Sequence, residues 1–261
     1  MSTFVCQNKN IRYQITGSGQ PVLLIHGYCE DGTIWDHFIP LLPAAQYITM
    51  DLPGFGESEI DGAVSIVEMA EVVKSLLKHL KIERLMLIGH SMGGYVALAF
   101  AEKYGSMLSG LGLFHSHPYA DTEAQKVSRT RSADFVKKNG SAHFIKQLMP
   151  KLFPDDFIRF NNFLLNNLTF RASRYPVTGI VNGQEAMRDR SDRTEVLRTA
   201  TYPVLFIVGK KDTTVEKEKA RDQTALPARA MIKILPDIGH MGMFEAPRKT
   251  AAMVGEFINF C

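Results

Sequence analysis

Leu85-Met86-Leu87-Ile88-Gly89-His90-Ser91-Met92-Gly93-Gly94-Tyr95-Val96-Ala97-Leu98 joins two kinds of local structure through one tight turn. The apolar run Leu85–Ile88 has the length of a fully buried strand, and Val96–Ala101 reads as a helix packed on it. Between them lies Gly-His-Ser-Met-Gly, the spacing of an elbow that lifts a nucleophile off the end of a strand. A residue at so sharp a turn adopts a strained backbone, and side chains two positions away on either side would collide with the chain. Gly89 and Gly93 remove those collisions and leave the Ser91 hydroxyl exposed. Free N–H groups of the following helix face any oxyanion that develops there, which suits acyl transfer.

Working outward, the remaining chain alternates strand and helix signals. Phe4–Thr16 reads as an edge hairpin around Asn8-Lys9-Asn10, followed by a Gly17-Ser18-Gly19 turn. Val22–Ile25 is a buried strand ending in His26-Gly27-Tyr28-Cys29-Glu30-Asp31-Gly32. Thr33 is placed to cap a helix that uses Ile34, Trp35, Phe38 and Leu41. Tyr47–Met50 is a strand running into Asp51-Leu52-Pro53-Gly54-Phe55-Gly56-Glu57-Ser58, which reads as a structural turn. Ser65–Leu80 is an amphipathic helix and Leu108–Phe114 a further strand. From His115 to about Thr199 the strand signals vanish and helical patches appear, Phe144–Leu152 and Phe157–Leu168 among them. Alternation resumes with Pro203–Val208 and Ala230–Leu235, and a closing helix runs from Pro247 to Phe260. These signals predict an α/β fold, with a mostly parallel central sheet covered by helices on both faces. Residues 1–115 and 199–261 are expected to build the core, and 116–198 a helical cap inserted over one end of the sheet.

The 261-residue chain is long enough for one large domain. Its 30 Lys and Arg against 27 Asp and Glu leave +3, with no block of like charge, so a nucleic-acid or membrane-surface role has no electrostatic footprint. The N-terminal residues lack the apolar core of a secretory signal, and no apolar stretch reaches the roughly 20 residues that span a bilayer. Three cysteines, Cys6, Cys29 and Cys261, are odd in number and widely spaced, which argues against a disulfide framework or metal knuckle. A cytoplasmic protein is the expectation.

A serine hydroxyl needs a base to take its proton and a group to hold that base in the right tautomer. His240, in the loop after Ala230–Leu235, falls at the carboxyl end of its strand, the same end as Ser91. Asp212, after Pro203–Val208, is the matching acid, with Asp237 as its competitor. The order Ser91, Asp212, His240 is that expected with such an elbow.

Taken together, His26-Gly27, Asp51–Ser58, Gly89–Gly94, Gly209-Lys210-Lys211-Asp212 and Gly239-His240 resemble the α/β-hydrolase superfamily over nearly the whole chain. The resemblance implies Ser91 as nucleophile, His240 as general base and Asp212 as its orienter. It also implies an oxyanion hole from the backbone N–H groups of Tyr28 and Met92, and a cap that selects the substrate. Tyr28, His90, His115 and Met241 are the candidates for substrate contact. His26 reads as a brace for its loop, and Cys29 as a buried filler rather than a reactive thiol. His115-Ser116-His117 has the form of a metal pair but lacks a third ligand nearby, so it reads as pocket rim or cap hinge. Neither metal nor cofactor is expected.

The leading expectation is a carboxylesterase-like serine hydrolase acting on a small ester or thioester. Cleavage of a carbon–carbon bond by the same three residues is the alternative within the fold. A ligand receptor with a slow triad is the alternative outside catalysis, and a non-catalytic scaffold is a third. Ester turnover that depends on Ser91 separates the first from the scaffold, and very slow turnover coupled to ligand-dependent partner binding marks the receptor.

Overall fold

A computed structural model describes residues 2–215 and 217–261. Among them eight strands form one sheet: β1 (Ser2–Cys6), β2 (Lys9–Thr16), β3 (Pro21–Ile25), β4 (Gln46–Met50), β5 (Leu85–His90), β6 (Leu108–Phe114), β7 (Val204–Gly209) and β8 (Ala230–Leu235). Their spatial order is β1-β2-β4-β3-β5-β6-β7-β8. The β1–β2 and β2–β4 pairings are antiparallel and the others parallel. Gln7 and Asn8 turn the first hairpin in left-handed backbone, a conformation Asn tolerates well. Every residue of β5 and of β6 is buried, so both faces of the sheet are covered at its centre.

The helices follow from capping and periodicity. In α1 (Ile66–His79) Ser65 accepts a hydrogen bond from the Glu68 N–H, and Glu68 reaches back to the Ser65 N–H, closing both ends of a capping box. Its Met69, Val73, Leu76 and Leu77 are buried, and it packs on α2 (Met92–Tyr104). Between β6 and β7 the chain forms α3 (Glu123–Asn139), α4 (Ser141–Leu148), α5 (Asp155–Phe160), α6 (Asn162–Ala172), α7 (Val177–Arg188) and α8 (Thr194–Arg198). The core closes with α9 (Lys217–Asp222), α10 (Gly242–Glu245) and α11 (Pro247–Phe260). Among the described residues no helix is long and apolar enough to cross a membrane.

Two local expectations are corrected. The cap at residues 31–36 is Asp31, whose carboxylate accepts from the Thr33 N–H at 2.9 Å and the Thr33 hydroxyl at 2.6 Å. The segment makes two short 3₁₀ turns, Gly32–Trp35 and Ile39–Leu41, because Pro40 cannot continue an α-helical hydrogen-bond ladder. Trp35 and Phe38 are still buried, but Leu41 is exposed. The Phe157–Leu168 patch splits into α5 and α6 at Asn161, leaving Phe160 and Phe163 in solvent.

The strand order places β3 beside β5. The chain leaves β3 toward β4 on one side and β5 toward β6 on the other, so their carboxyl ends form a switch point where α/β sheets open a crevice. That crevice is tightly built. A Cβ on Gly93 would lie 2.5 Å from the His26 carbonyl oxygen and 2.6 Å from that of Ile25, and one on Gly89 would run into the Gly93 backbone. Backbone cannot swing aside as a side chain can. Gly93→Ala is therefore expected to lower unfolding free energy by about 1–3 kcal/mol in urea titration. Gly105→Ala, whose added carbon meets only the Tyr202 ring at 3.5 Å, is the control expected to stay near wild type.

Candidate active site

Ser91 sits between β5 and α2 at φ 49° and ψ −117°, a conformation costly for a residue with a Cβ. It is held by its own backbone bonds. The Ser91 N–H donates to the Phe114 carbonyl at 3.0 Å, and the Ser91 carbonyl accepts from the Gly94 N–H and the Ser116 hydroxyl. Ser91 is half-buried, while its neighbours on both sides are enclosed. Across the switch point lies the 27–30 loop, whose Gly27 stands so near that an added Cβ would be 3.1 Å from the Ser91 Cβ. Among the described residues neither the Tyr28 nor the Met92 backbone N–H is engaged by a protein acceptor.

His240 and Asp212 come together from the ends of β8 and β7. The His240 Nδ1–H donates to Asp212 Oδ2 at 2.7 Å, which leaves Nε2 as the ring's basic nitrogen. Thr214 Oγ1 lies 2.6 Å from the same Nδ1 and donates to Asp212 Oδ1 at 2.7 Å. The competing acid, Asp237, is exposed. The His240 loop is clamped on both sides by one carboxylate: Glu245 accepts from the N–H groups of Gly239 and Met241 at 2.7 and 2.8 Å. The His240 N–H itself donates to Leu152 of the helical insertion. Burial alone would raise Asp212, but the His240 charge and hydrogen bond outweigh it and hold the carboxyl well below its usual range. Burial likewise disfavours a charged His240, and the adjacent Asp212 reverses that, raising the imidazole above its ordinary value. A hydroxyl on a strained turn, an oriented imidazole and two unengaged amides together have the parts needed for acyl transfer.

The other expected contacts are placed differently. His26 braces its loop, its Nδ1–H donating to the Gly27 carbonyl while Nε2 accepts from the Leu52 N–H. The Tyr28 hydroxyl donates to the Ile180 carbonyl of α7, and its ring stands edge-on to Phe55 and Phe144. His90, His115 and Met241 are enclosed by protein. His115 instead stands 3.7 Å from Asp212, and burial drives its pKa down to about 3, which keeps it neutral. Among the described residues no cluster of three or more His, Cys, Asp or Glu side chains could hold a metal.

Two residues with evident roles are absent from the sequence reading. Thr214 carries a local signal, since at three of the four Asp-x-Thr sequences, Asp31–Thr33, Asp192–Thr194 and Asp212–Thr214, the aspartate accepts from the threonine N–H. Glu30 carries none. It is a loop carboxylate like many exposed ones until the fold buries it against His90.

A cavity of about 450 Å³ is lined by Phe144, Gln184, Thr214, Arg129, Arg131 and Lys151 among others, and not by Ser91, Asp212 or His240 themselves. Thr214 thus touches both the cavity and His240.

Residues 20–247 match the family model for the alpha/beta hydrolase fold. The chain belongs to that family. It is 30% identical over 249 residues to the dihydrolipoyllysine-residue acetyltransferase component of an acetoin cleaving system from Pseudomonas putida, covering 92% of this chain and 64% of that one. It thus spans less than two thirds of that relative's length. It is 26% identical to a 2-hydroxy-6-oxo-6-(2'-aminophenyl)hexa-2,4-dienoic acid hydrolase of Metapseudomonas resinovorans, covering 95% of this chain and 87% of that one. The structure superposes on a thermophilic esterase from Thermogutta terrifontis with a TM-score of 0.92 at 29% identity, covering 99% of this chain and 96% of that one.

Only neutral His240 can accept a proton, so activity of this hydrolase-fold site should rise with pH along a limb centred above 6.5, the ordinary histidine value. Asp212→Asn removes the charge that raises the imidazole. Its profile, read as kcat/KM against pH, should shift to lower pH while the plateau falls by about a thousandfold or more.

Proposed function

We propose that the chain is a serine hydrolase that cleaves a small carboxylic ester through an acyl-enzyme on Ser91. The observation that carries this reading is the 2.7 Å Asp212–His240 hydrogen bond, set beside a serine held in left-handed backbone at the same edge of the sheet. Ser91 Oγ attacks the carbonyl carbon as His240 Nε2 takes its proton. The Tyr28 and Met92 amides hold the oxyanion, and the proton then passes from His240 to the departing alkoxide. Water, deprotonated by the same nitrogen, releases the acid and restores Ser91. Residues 116–198 act as the cap, and the cavity walled by α3 and α4 is the approach to the site.

Charge narrows the substrate. The described lining of the cavity brings Arg129, Arg131 and Lys151 together. Arg129 and Arg190 share one carboxylate, Asp121, at 3.0 and 2.6 Å, so two guanidiniums face a single negative charge. A substrate with a free carboxylate away from the scissile bond fits that lining. The similarity to a dienoic acid hydrolase supports carbon–carbon cleavage as the second reading, with the same residues in the same roles.

Hydrolysis of p-nitrophenyl esters from acetate to decanoate tests the first reading. Wild type should turn over the short esters, and Ser91→Ala should lose at least about a thousandfold in kcat. Retention of turnover in the Ser91 variant would overturn it. For the charge, Arg129→Gln should lower kcat/KM for p-nitrophenyl hydrogen glutarate about tenfold relative to the valerate, mainly through KM. Asp121 keeps Arg190 in that variant, so no buried carboxylate is left alone.

A further inference from the structure

His90 precedes Ser91 in the chain and is fully buried, and both of its ring nitrogens are engaged. Nδ1 lies 2.9 Å from Glu30 Oε2, and Nε2 lies 2.9 Å from the backbone carbonyl oxygen of His240. A carbonyl oxygen only accepts hydrogen bonds, and an ionised carboxylate only accepts. A neutral imidazole has one N–H and one lone pair, so it satisfies one such partner and points its lone pair at the other. Glu30 is the carboxylate of the two. The same Oε2 accepts the Gly27 N–H at 2.6 Å, a hydrogen bond that favours the ionised carboxylate.

We propose that His90 is a buried imidazolium, paired with the Glu30 carboxylate, and that this pair is a positioning device for the candidate site. Three segments meet on it. His90 belongs to the turn that carries Ser91. Glu30 grips the Gly27 amide and so fixes the loop that presents the Tyr28 N–H. The His90 Nε2–H holds the backbone of the candidate base from behind, with the two imidazole centres 4.9 Å apart. Gly27 is shaped by the pair, since a Cβ there would lie 2.7 Å from His90 Nδ1 and 2.9 Å from Glu30 Oε2.

The surroundings make the contrast plain. The titratable groups facing His90 are Glu30 from the 27–30 loop, His115 from the end of β6 and His240 from the end of β8, and Asp212 touches the latter two histidines. His26 stands on the far side of Glu30. His115 is as deeply buried as His90, but neither of its nitrogens has a hydrogen-bond partner among the described residues. Burial therefore leaves His115 neutral, whereas His90 has a carboxylate within hydrogen-bond distance. Charge on both partners cancels over one hydrogen bond, so the device fixes geometry without adding net charge beneath His240.

The test is the ¹⁵N spectrum of histidine-labelled wild type at about pH 8, well above the ordinary imidazole value, with the His90 ring assigned by through-bond correlation to its own backbone amide. Both His90 nitrogens should show the protonated shift while His115 and His117 show one protonated nitrogen each. A His90 with a bare Nδ1 at that pH overturns the proposal. In p-nitrophenyl acetate hydrolysis Glu30→Gln should lower kcat by about tenfold or more with KM within about twofold, the signature of misplaced groups rather than lost binding. A folded Glu30→Gln protein with wild-type kcat overturns the positioning role. The kinetic arm rests on the hydrolase reading and the spectrum does not. If no ester is turned over by wild type, that reading fails while the spectrum still decides the charge state, as it does if the variants do not fold.

Discussion

Close backbone packing at the carboxyl edge of the sheet governs this molecule. Three non-glycine residues there take left-handed backbone, each just past the end of a strand: Cys29 after β3, Ser91 after β5 and His115 after β6. Each costs on the order of 1–3 kcal/mol and persists only where surrounding structure holds it. The hold is visible at Ser91, where bonds from Phe114, Ser116 and Gly94 fix both of its peptide groups. Gly89, Gly93 and Gly94 let α2 approach closely enough for those bonds to form. Relieving the crowding at any one of them would loosen the turn, and with it the direction of the hydroxyl.

Electrostatics then determines which side chains around that turn carry charge. Burial acts on every group there in the same direction, against ionisation, so the outcome depends on contacts. Asp212 is ionised because His240 and Thr214 face it. His115 lacks such a partner and stays neutral. A second buried pair, Arg12 with Asp51 at 2.9 Å, fixes the 51–58 turn, in which Asp51 also accepts from the Gly32 and Glu57 amides. Asp31 joins the insertion to the core, accepting from Arg171 and from the Tyr175 hydroxyl at 2.6 Å. The insertion is thus tied to the core by hydrogen bonds that reach the same loop as Tyr28.

The insertion is where one sequence says least. Its helices are packed largely on each other, α3 on α7 above all, and their periodicity is compatible with several arrangements. Phe160 and Phe163 look like core residues in a line of sequence and stand in solvent because Asn161 breaks the helix between them. Conversely, Arg129 looks like one more surface charge, yet it reaches Asp121 and Gln184 at the wall of the cavity. Specificity is carried by such residues, whose direction depends on helix packing.

The strand–turn–helix around Ser91 and the mostly parallel sheet covered by helices were legible in the sequence. They follow from local periodicity, from glycine at forced close approaches and from the rule that parallel strands present their carboxyl ends together. Capping at Ser65 is equally local, and so is the Asp-x-Thr turn at Asp212. The tertiary structure alone decided that His90 and His115 are enclosed and that Glu30 lies against His90. Those outcomes depend on contacts between residues as much as 150 positions apart, such as His90 with the His240 carbonyl. No window along the chain contains both partners, so only the folded sheet brings them within a hydrogen bond.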